Sequence, residues 1–183
     1  MNPNYIFKIF FITFSICFIV GCAPKYNGSL YENLDNREKI EFSDYSLKII
    51  DSRTDTTDKK IGITIFSHRG QKDRVSPKNN GELEMAFDEI IKEHQSFGGQ
   101  KLDFELEILQ AYQEFSATAF SEREAVFWSI VINVNRTVRN THGLKGKCTG
   151  EKSSIDASIK NINAMYIKCF KNAVTNAMQG YRQ

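Results

Sequence analysis

The sequence has no excess of charge of either sign. Its 183 residues include 24 Lys and Arg against 22 Asp and Glu, a formal net charge of +2 at pH 7. Binding to the phosphates of nucleic acid requires a net basic face, so we expect no nucleic-acid partner. Internal repeats and low-complexity tracts are also absent. With 41% hydrophobic and 25% charged residues, the composition is that of a globular chain.

Sequence motifs of known chemistry are absent too. No Gly-x-Ser-x-Gly sequence marks a nucleophilic serine, and the cysteines and histidines match no zinc-ligand spacing. Asp103, Glu105 and Glu107 alternate along one predicted strand. We interpret them as a solvated sheet face rather than as acid–base groups, because the positions between them are apolar. The sequence therefore predicts no enzyme active site, no metal and no cofactor.

The main hydrophobic run is short and lies near the first residue. Ile9–Val20 follows Lys8, and as a helix it would span about 18 Å at 1.5 Å per residue, against about 30 Å of membrane hydrocarbon. A positive charge, an apolar run and a small residue, here Gly21, are the parts of a secretory signal. We predict that residues 1–21 are a signal peptide, whose removal leaves 183 − 21 = 162 residues.

The junction Ile19-Val20-Gly21-Cys22 resembles the lipobox of bacterial lipoproteins. The resemblance implies that a diacylglyceryl group is attached to the Cys22 sulfur and that the chain is cut just before it. Two or three acyl chains anchor a protein stably in a membrane. Ala23 stands where an Asp would resemble an inner-membrane retention signal, so the outer membrane is favoured, with the protein facing the periplasm. The alternative is a soluble secreted protein with a chance cysteine.

Two cysteines remain after this processing. Cys17 leaves with the signal and Cys22 carries lipid, which leaves Cys148 and Cys169. In an oxidising compartment such an even pair is a disulfide candidate. Cys148 falls on the inward face of a predicted strand, and Cys169 falls on the apolar face of the last predicted helix. The alternative is two buried thiols that act as small hydrophobic side chains.

Hydrophobic periodicity predicts seven elements in one domain over residues 45–183, after a tether over residues 22–44. Alternation predicts strands, and apolar stripes at 3.6-residue spacing predict helices. A break in the alternation at Ile108-Leu109 predicts a bulge, and Asn80 is expected to cap the first helix. The predicted strands are 45–50, 61–66, 102–108, 125–138 and 144–149, the predicted helices are 82–97 and 154–180, and a basic loop is predicted at 68–80.

The order β-β-α-β-β-β-α predicts the fold class. One face of the strands is apolar and both helices are amphipathic, with Phe97 on the buried stripe of the first helix. We therefore expect an α+β two-layer sandwich, in which both helices pack on one face of a mainly antiparallel sheet.

This order of elements, together with two short sequences, resembles the YajG-like small envelope lipoproteins. The short sequences are Asp51-Ser-Arg53 at the end of a strand and Ile61-Gly62 at the start of the next. More loosely, the chain resembles the auxiliary lipoproteins of ABC-type envelope transport systems. The resemblance covers about residues 45–180 and implies a non-enzymatic protein, because these families have no catalytic residues to carry over.

Two groups of basic residues are candidate contacts for anionic lipid headgroups or sugar phosphates. One lies about the last predicted hairpin and the other in the loop 68–80. Alternatively, the hairpin charges protect an exposed sheet edge from aggregation. The first group is Arg136, Arg139, Lys145 and Lys147, and the second is Arg69, Lys72 and Arg74.

Together these features predict a non-enzymatic binding or assembly lipoprotein. It would be attached to the membrane through Cys22 and would bind another envelope protein, a lipid or a glycan. Two other functions are consistent with the sequence. One is a secreted hydrolase whose site is built from loops 51–60 and 68–80, and the other is a surface adhesin.

Overall fold

The structure is a computed structural model that describes residues 39–61, 72–117, 122–135, 143–154 and 159–181. The predicted signal peptide, Cys22, Arg136 and Arg139 lie outside these residues. The described part of the chain contains eight strands and two helices. In chain order they are β1 (Ile40–Glu41), β2 (Tyr45–Asp51), β3 (Thr56–Thr57), β4 (Lys72–Pro77), α1 (Glu82–His94), β5 (Gln95–Ser96), β6 (Leu102–Ala117), β7 (Glu122–Val134), β8 (Leu144–Ser154) and α2 (Ile159–Met178).

Strand β6 is the centre of the main sheet. On one side it pairs antiparallel with β7, which pairs antiparallel with β8. The alternation that predicted a strand from Leu102 continues far beyond Ile108, because the strand runs on to Ala117. The pairing with β7 shifts register between Ile108 and Gln110, which confirms the predicted bulge.

Two strands share the other edge of β6. β2 runs parallel to its first half, from Leu102 to Ile108, and β4 runs antiparallel to its second half, from Gln113 to Ser116. β3 pairs parallel with β4, and β1 pairs parallel with β5 in a separate small sheet. A parallel pair needs a crossover connection, and the chain between β2 and β6 contains α1.

Both helices cover the same face of the sheet, and aromatic rings fill the space between the layers. Phe87 of α1 packs on Phe104 of β6, with ring centroids 5.6 Å apart. Trp128 of β7 lies 4.5 Å from the Tyr166 ring and 4.9 Å from the Phe170 ring, both of α2. The indole Nε1 donates a hydrogen bond to the Tyr166 carbonyl at 2.9 Å. The predicted α+β two-layer sandwich with a mainly antiparallel sheet is therefore confirmed.

The predicted tether extends too far along the chain. Residues 22–44 were assigned to it, yet Ile40 and Phe42 are buried in the core and Ile40 belongs to β1. The segment is mostly polar, so the two apolar residues that alternate with Glu41 and Ser43 give only a short signal. Residues 40 and 41 form a strand because they pair with β5.

The segment before α1 also differs from the prediction. Residues 62–66 of the predicted second strand lie outside the described residues, and Ile61 is buried but not in a strand. The predicted loop 68–80 contains β4. The sequence Lys72-Asp-Arg-Val-Ser-Pro77 has too few apolar residues to predict a strand, so its conformation comes from pairing with β6.

Helix α1 is shorter than predicted. It ends at His94, and Gln95 is extended because it pairs with β1. The prediction that Phe97 lies on the buried stripe is wrong, since that side chain is 88% exposed. At the other end the N-cap is Gly81 at φ 86°, and the Asn80 side chain accepts a hydrogen bond from the Glu82 backbone N–H at 3.2 Å.

The bounds of the last two strands and of the last helix differ from the prediction. β7 begins at Glu122 and ends at Val134, rather than spanning 125–138. β8 continues to Ser154, so the predicted start of the final helix belongs to the strand, and α2 begins at Ile159. Cross-strand pairing with β7 extends β8 through polar residues that have no apolar alternation.

Strand β8 approaches α2 most closely at a glycine. A methyl group on Gly146 would overlap the carbonyl oxygen of Ala173 and would lie 3.1 Å from the Ala177 side chain. Both contacts belong to the helix, so the absence of a side chain sets the distance between the two layers here.

We therefore expect G146A to lower the free energy of unfolding by about 2 kcal/mol, because overpacking a core typically costs 1–3 kcal/mol. Urea denaturation measured by circular dichroism checks this. The exposed neighbour Lys147 provides the control, and K147A should change stability by less than about 0.5 kcal/mol. Equal stability of the two variants would contradict the close contact.

Candidate binding pocket beside a buried arginine

Arg53 follows β2 and its side chain is 1% exposed. Its Nε and Nη2 donate to the two carboxylate oxygens of Asp51, at 2.8 and 2.6 Å. Nη2 also donates to the Pro77 carbonyl at 2.9 Å, and Nη1 reaches the Ala111 carbonyl and the Tyr166 hydroxyl at 3.4 Å each. One side chain thus joins β2, β4, β6 and α2.

The charges of this cluster stabilise each other. Hydrogen bonding from Arg53 holds the pKa of the Asp51 carboxyl below its usual value. Burial opposes the positive charge of Arg53, but the hydrogen bond and the charge of Asp51 outweigh it and raise the pKa of the guanidinium. Burial raises the pKa of the Tyr166 phenol, although Arg53 opposes that shift. At neutral pH the cluster is an ion pair beside a neutral phenol.

A pocket of about 400 Å³ lies next to this cluster. That volume falls in the range of small-molecule sites, roughly 300–1,000 Å³. Two residues belong to both features, because Pro77 and Tyr166 contact Arg53 and also line the pocket. The lining comes from the loop after β3, the turn before α1, the second half of β6 and the first half of α2. It consists of Thr57, Asp58, Lys59, Lys60, Ile61, Pro77, Lys78, Asn79, Asn80, Glu82, Leu83, Gln113, Asn163, Tyr166 and Ile167.

Hydrogen bonds fix the walls of the pocket. On the inner face of β6 the buried Gln113 donates from Nε2 to Asn163 of α2 at 2.8 Å. On the outer wall, Lys78 contacts Asp58 at 2.6 Å. The Lys78 backbone N–H also donates to the Thr57 carbonyl at 3.3 Å. These bonds hold the loop after β3 against the end of β4.

The groups that line the pocket are suited to a polar ligand. Lysine ammonium groups and Asn and Gln amides donate hydrogen bonds, while Asp58 and Glu82 accept them. Ile61, Leu83 and Ile167 add apolar surface. In the part of the chain that the structure describes, no group of three or more His, Cys, Asp or Glu residues could hold a metal ion.

The residues singled out from the sequence lie elsewhere in the fold. Cys148 of β8 and Cys169 of α2 form a disulfide with a Cα–Cα distance of 5.5 Å, and both are buried. It crosses the core between the sheet and the helix layer. Lys145 and Lys147 lie exposed on one face of β8, and the other two members of the proposed anion-contact patch are outside the described residues.

Other charged candidates have partners on neighbouring strands. On the outer face of β6, Glu105 contacts Lys48 of β2 at 3.3 Å. Arg74, a member of the second basic group, forms an ion pair with Glu114 at 2.5 Å, and its guanidinium lies 4.1 Å from the centre of the Tyr112 ring. These contacts are cross-strand pairs that stabilise the sheet.

Sequence patterns indicated the pocket only in part. The loops 51–60 and 68–80, considered as the walls of a hydrolase site, both contribute to the pocket lining, through Thr57–Lys60 and Pro77–Asn80. Gln113 and Asn163 were missed. Gln113 lies beyond Ile108, where the predicted strand ended, and Asn163 is an exposed polar residue of the predicted helix, so neither position stood out. In the sequence, Asp51 and Arg53 served only as part of a short motif that resembles a family. Opposite charges two residues apart at the end of a strand are also a local signal for an ion pair.

Comparisons with known proteins identify no family. No family model matches the chain, and no curated protein matches it. Among solved structures, a minor lipoprotein from Acinetobacter baumannii, determined at 2.35 Å, has 12% sequence identity and a TM-score of 0.30. The match covers 76% of this chain and 85% of that chain. A TM-score of this size carries no conclusion about fold or function. Neither helix in the described residues is long and apolar enough to cross a membrane.

The Asp51–Arg53 pair makes stability depend on pH. Because the fold lowers the pKa of Asp51, the pair contributes stability above the unfolded pKa of about 3.9 and loses it as pH falls through the folded value. We expect D51N to cost about 3 kcal/mol at pH 7, since it leaves a buried charge without its partner. This difference from the parent protein should shrink below about pH 4.

Chemical denaturation from pH 3 to pH 8 measures this dependence. The control is D58N, which removes an exposed ion pair with Lys78 worth at most about 1 kcal/mol. A cost for D51N that matches that of D58N, or that stays constant with pH, would contradict the role given to the pair.

Proposed function

We propose that this chain is a lipid-anchored protein of the bacterial cell envelope whose folded part binds an envelope partner at the pocket. In this proposal Cys22 is the anchor and the protein has no catalytic role. It acts as a binding or assembly factor. Its place is the outer membrane, facing the periplasm, and this finer location depends on Ala23.

The observation that carries the proposal is the buried disulfide between Cys148 and Cys169. Structural disulfides form in oxidising compartments such as the periplasm and are rare in the cytosol. The sequence before Cys22 has the parts of an export signal. A disulfide in the core of the folded part and an export signal more than a hundred residues earlier support the same compartment.

The pocket supports binding as the task of the folded part. Its walls are held by hydrogen bonds between elements, so the site is formed before any ligand arrives. A pre-formed site avoids the entropic cost of ordering loops on binding. The amides, lysines and two carboxylates of the lining can form hydrogen bonds with a polar segment of an envelope protein. Such a segment has donors, acceptors and short apolar groups.

A second function is supported by one observation. Thr57–Lys60 of the loop 51–60 and Pro77–Asn80 of the loop 68–80 line the same pocket, as a hydrolase with a site built from these loops would require. Such an enzyme would turn over a substrate at this place, whereas the proposed binding protein would hold its partner without changing it.

Lipidation is the first test. Cells that express the full-length precursor are labelled with a radioactive fatty acid, and C22A should lose the label because the acyl groups require the Cys22 sulfur. The matched control is C17A, which changes a cysteine inside the predicted signal and should label as the parent does. Normal labelling of C22A would contradict the anchor.

Photo-crosslinking in cells tests the pocket. A benzoylphenylalanine in place of Lys60, an exposed residue of the pocket lining, should give a covalent adduct with an envelope protein. The same group in place of Gln179, which is exposed just after α2, should give none. An adduct only from the Lys145 position on β8 would contradict the pocket and would favour the sheet face.

An activity assay of the purified protein distinguishes the hydrolase from the binding protein. His68 belongs to the loop 68–80 and lies outside the described residues. Turnover of ester or peptide substrates by the purified protein that is abolished by H68A would replace the binding proposal. Crosslinking without turnover would support it.

A further inference from the structure

One turn displays an aromatic side chain to solvent. Phe97, between β5 and β6, is 88% exposed, more than the other exposed large hydrophobic residues of the described chain, Met85 at 63% and Leu109 at 46%. Single exposed hydrophobic residues are common on protein surfaces, so exposure alone carries no conclusion. Two further features make this residue informative: the hydrogen bonds that hold the turn, and the position of the turn in the chain.

The turn is fixed against the first described segment. The Phe42 backbone N–H donates to the Ser96 carbonyl at 3.1 Å, and the Ser43 N–H donates to the Gln100 carbonyl at 3.3 Å. The Gln95 side chain donates to the Phe42 carbonyl at 3.2 Å. These three bonds close both ends of the turn, so Phe97 is held outward by ordered backbone.

Two glycines make this close approach feasible. Gly98 and Gly99 have φ of 147° and 67°, values that favour glycine. A Cβ on Gly98 would overlap the Glu41 side chain, and one on Gly99 would lie 2.7 Å from the Glu41 carbonyl oxygen. The turn therefore packs its backbone on β1 and leaves the Phe97 side chain exposed.

The first described strand lies at this same place. Ile40 of β1 pairs with Gln95 of β5, two residues before Phe97. Between Cys22 and Lys39 there are 17 residue steps, which reach at most about 60 Å when fully extended. A lipid on Cys22 would therefore be connected to the fold through the segment on which the Phe97 turn packs.

We infer that Phe97 inserts into the lipid bilayer in which Cys22 is anchored, so that the turn 96–99 is a second membrane contact. This inference rests on the proposed lipid anchor. Burial of a Phe side chain away from water contributes about 1.5–3 kcal/mol, too little for stable binding alone. Beside an existing anchor it is enough to orient the domain. Lys39, which precedes β1, and Lys101, which precedes β6, are exposed and suit anionic headgroups, although the Glu41 carboxylate also lies against the turn.

A fluorescent label on the mature lipidated protein tests the inference. With Cys148 and Cys169 in a disulfide and Cys22 acylated, F97C supplies the one free thiol for a nitrobenzoxadiazole label. In vesicles of phosphatidylethanolamine and phosphatidylglycerol the emission should rise several-fold and shift to the blue. Lipids with a nitroxide on the acyl chain should quench it.

The matched control is the same label on M85C. Met85 is also an exposed apolar residue, but it lies near the other end of α1, about 14 Å along the helix axis from His94 at 1.5 Å per residue. Its emission should remain that of a label in water. Equal emission from the two positions, or a rise at position 97 that the nitroxide lipids do not quench, would overturn the inference; the latter would indicate contact with protein.

Mass spectrometry of the same sample separates the two levels of the proposal. If Cys22 carries no acyl groups, the anchor and the membrane contact are both wrong. If Cys22 is acylated while the label at position 97 remains in water, only the membrane contact is wrong and the anchor stands.

Discussion

The sheet depends on one side chain that bridges a gap in its hydrogen bonding. β2 pairs with β6 as far as Ile108 and β4 pairs with β6 from Gln113, so the residues between them have no strand partner on that edge among the described residues. Arg53 occupies this gap, where it donates to the Ala111 carbonyl and to the Pro77 carbonyl. The arginine thus supplies hydrogen bonds that a continuous neighbouring strand would otherwise supply. Asp51 makes burial of its charge tolerable.

The pocket follows from this arrangement. Since β2 stops at Asp51 and β4 approaches from the opposite direction, the loop after β3 and the turn before α1 meet over the second half of β6. Arg53 holds two parts of the wall at once, because Pro77 and the Tyr166 hydroxyl are both among its partners. A site whose walls come from four elements has its shape set by the core beneath it.

Local patterns predicted the parts of the fold that are locally determined. The alternation from Leu102, the bulge after Ile108 and the apolar stripes of both helices are properties of short segments, and each is present. The features that the sequence did not predict depend on contacts with distant segments. β4 is a strand because β6 lies beside it, and α1 stops at His94 because Gln95 pairs with β1. The pocket joins residues as far apart as Thr57 and Ile167, so no local period indicates it.

The parallel pairing of β2 with β6 has a consequence for the order in which the fold assembles. Ser46 and its hydrogen-bond partner Asp103 are 57 positions apart, whereas β6, β7 and β8 follow one another in an antiparallel meander. Contacts between distant segments carry a larger loop-closure cost. During synthesis β2 is complete before β6 has been made. The apolar residues of β2 can be buried against the sheet only after β6 is present. The segments of the meander and α2 are closer together in the chain, so we expect β2 to join the sheet after they have packed.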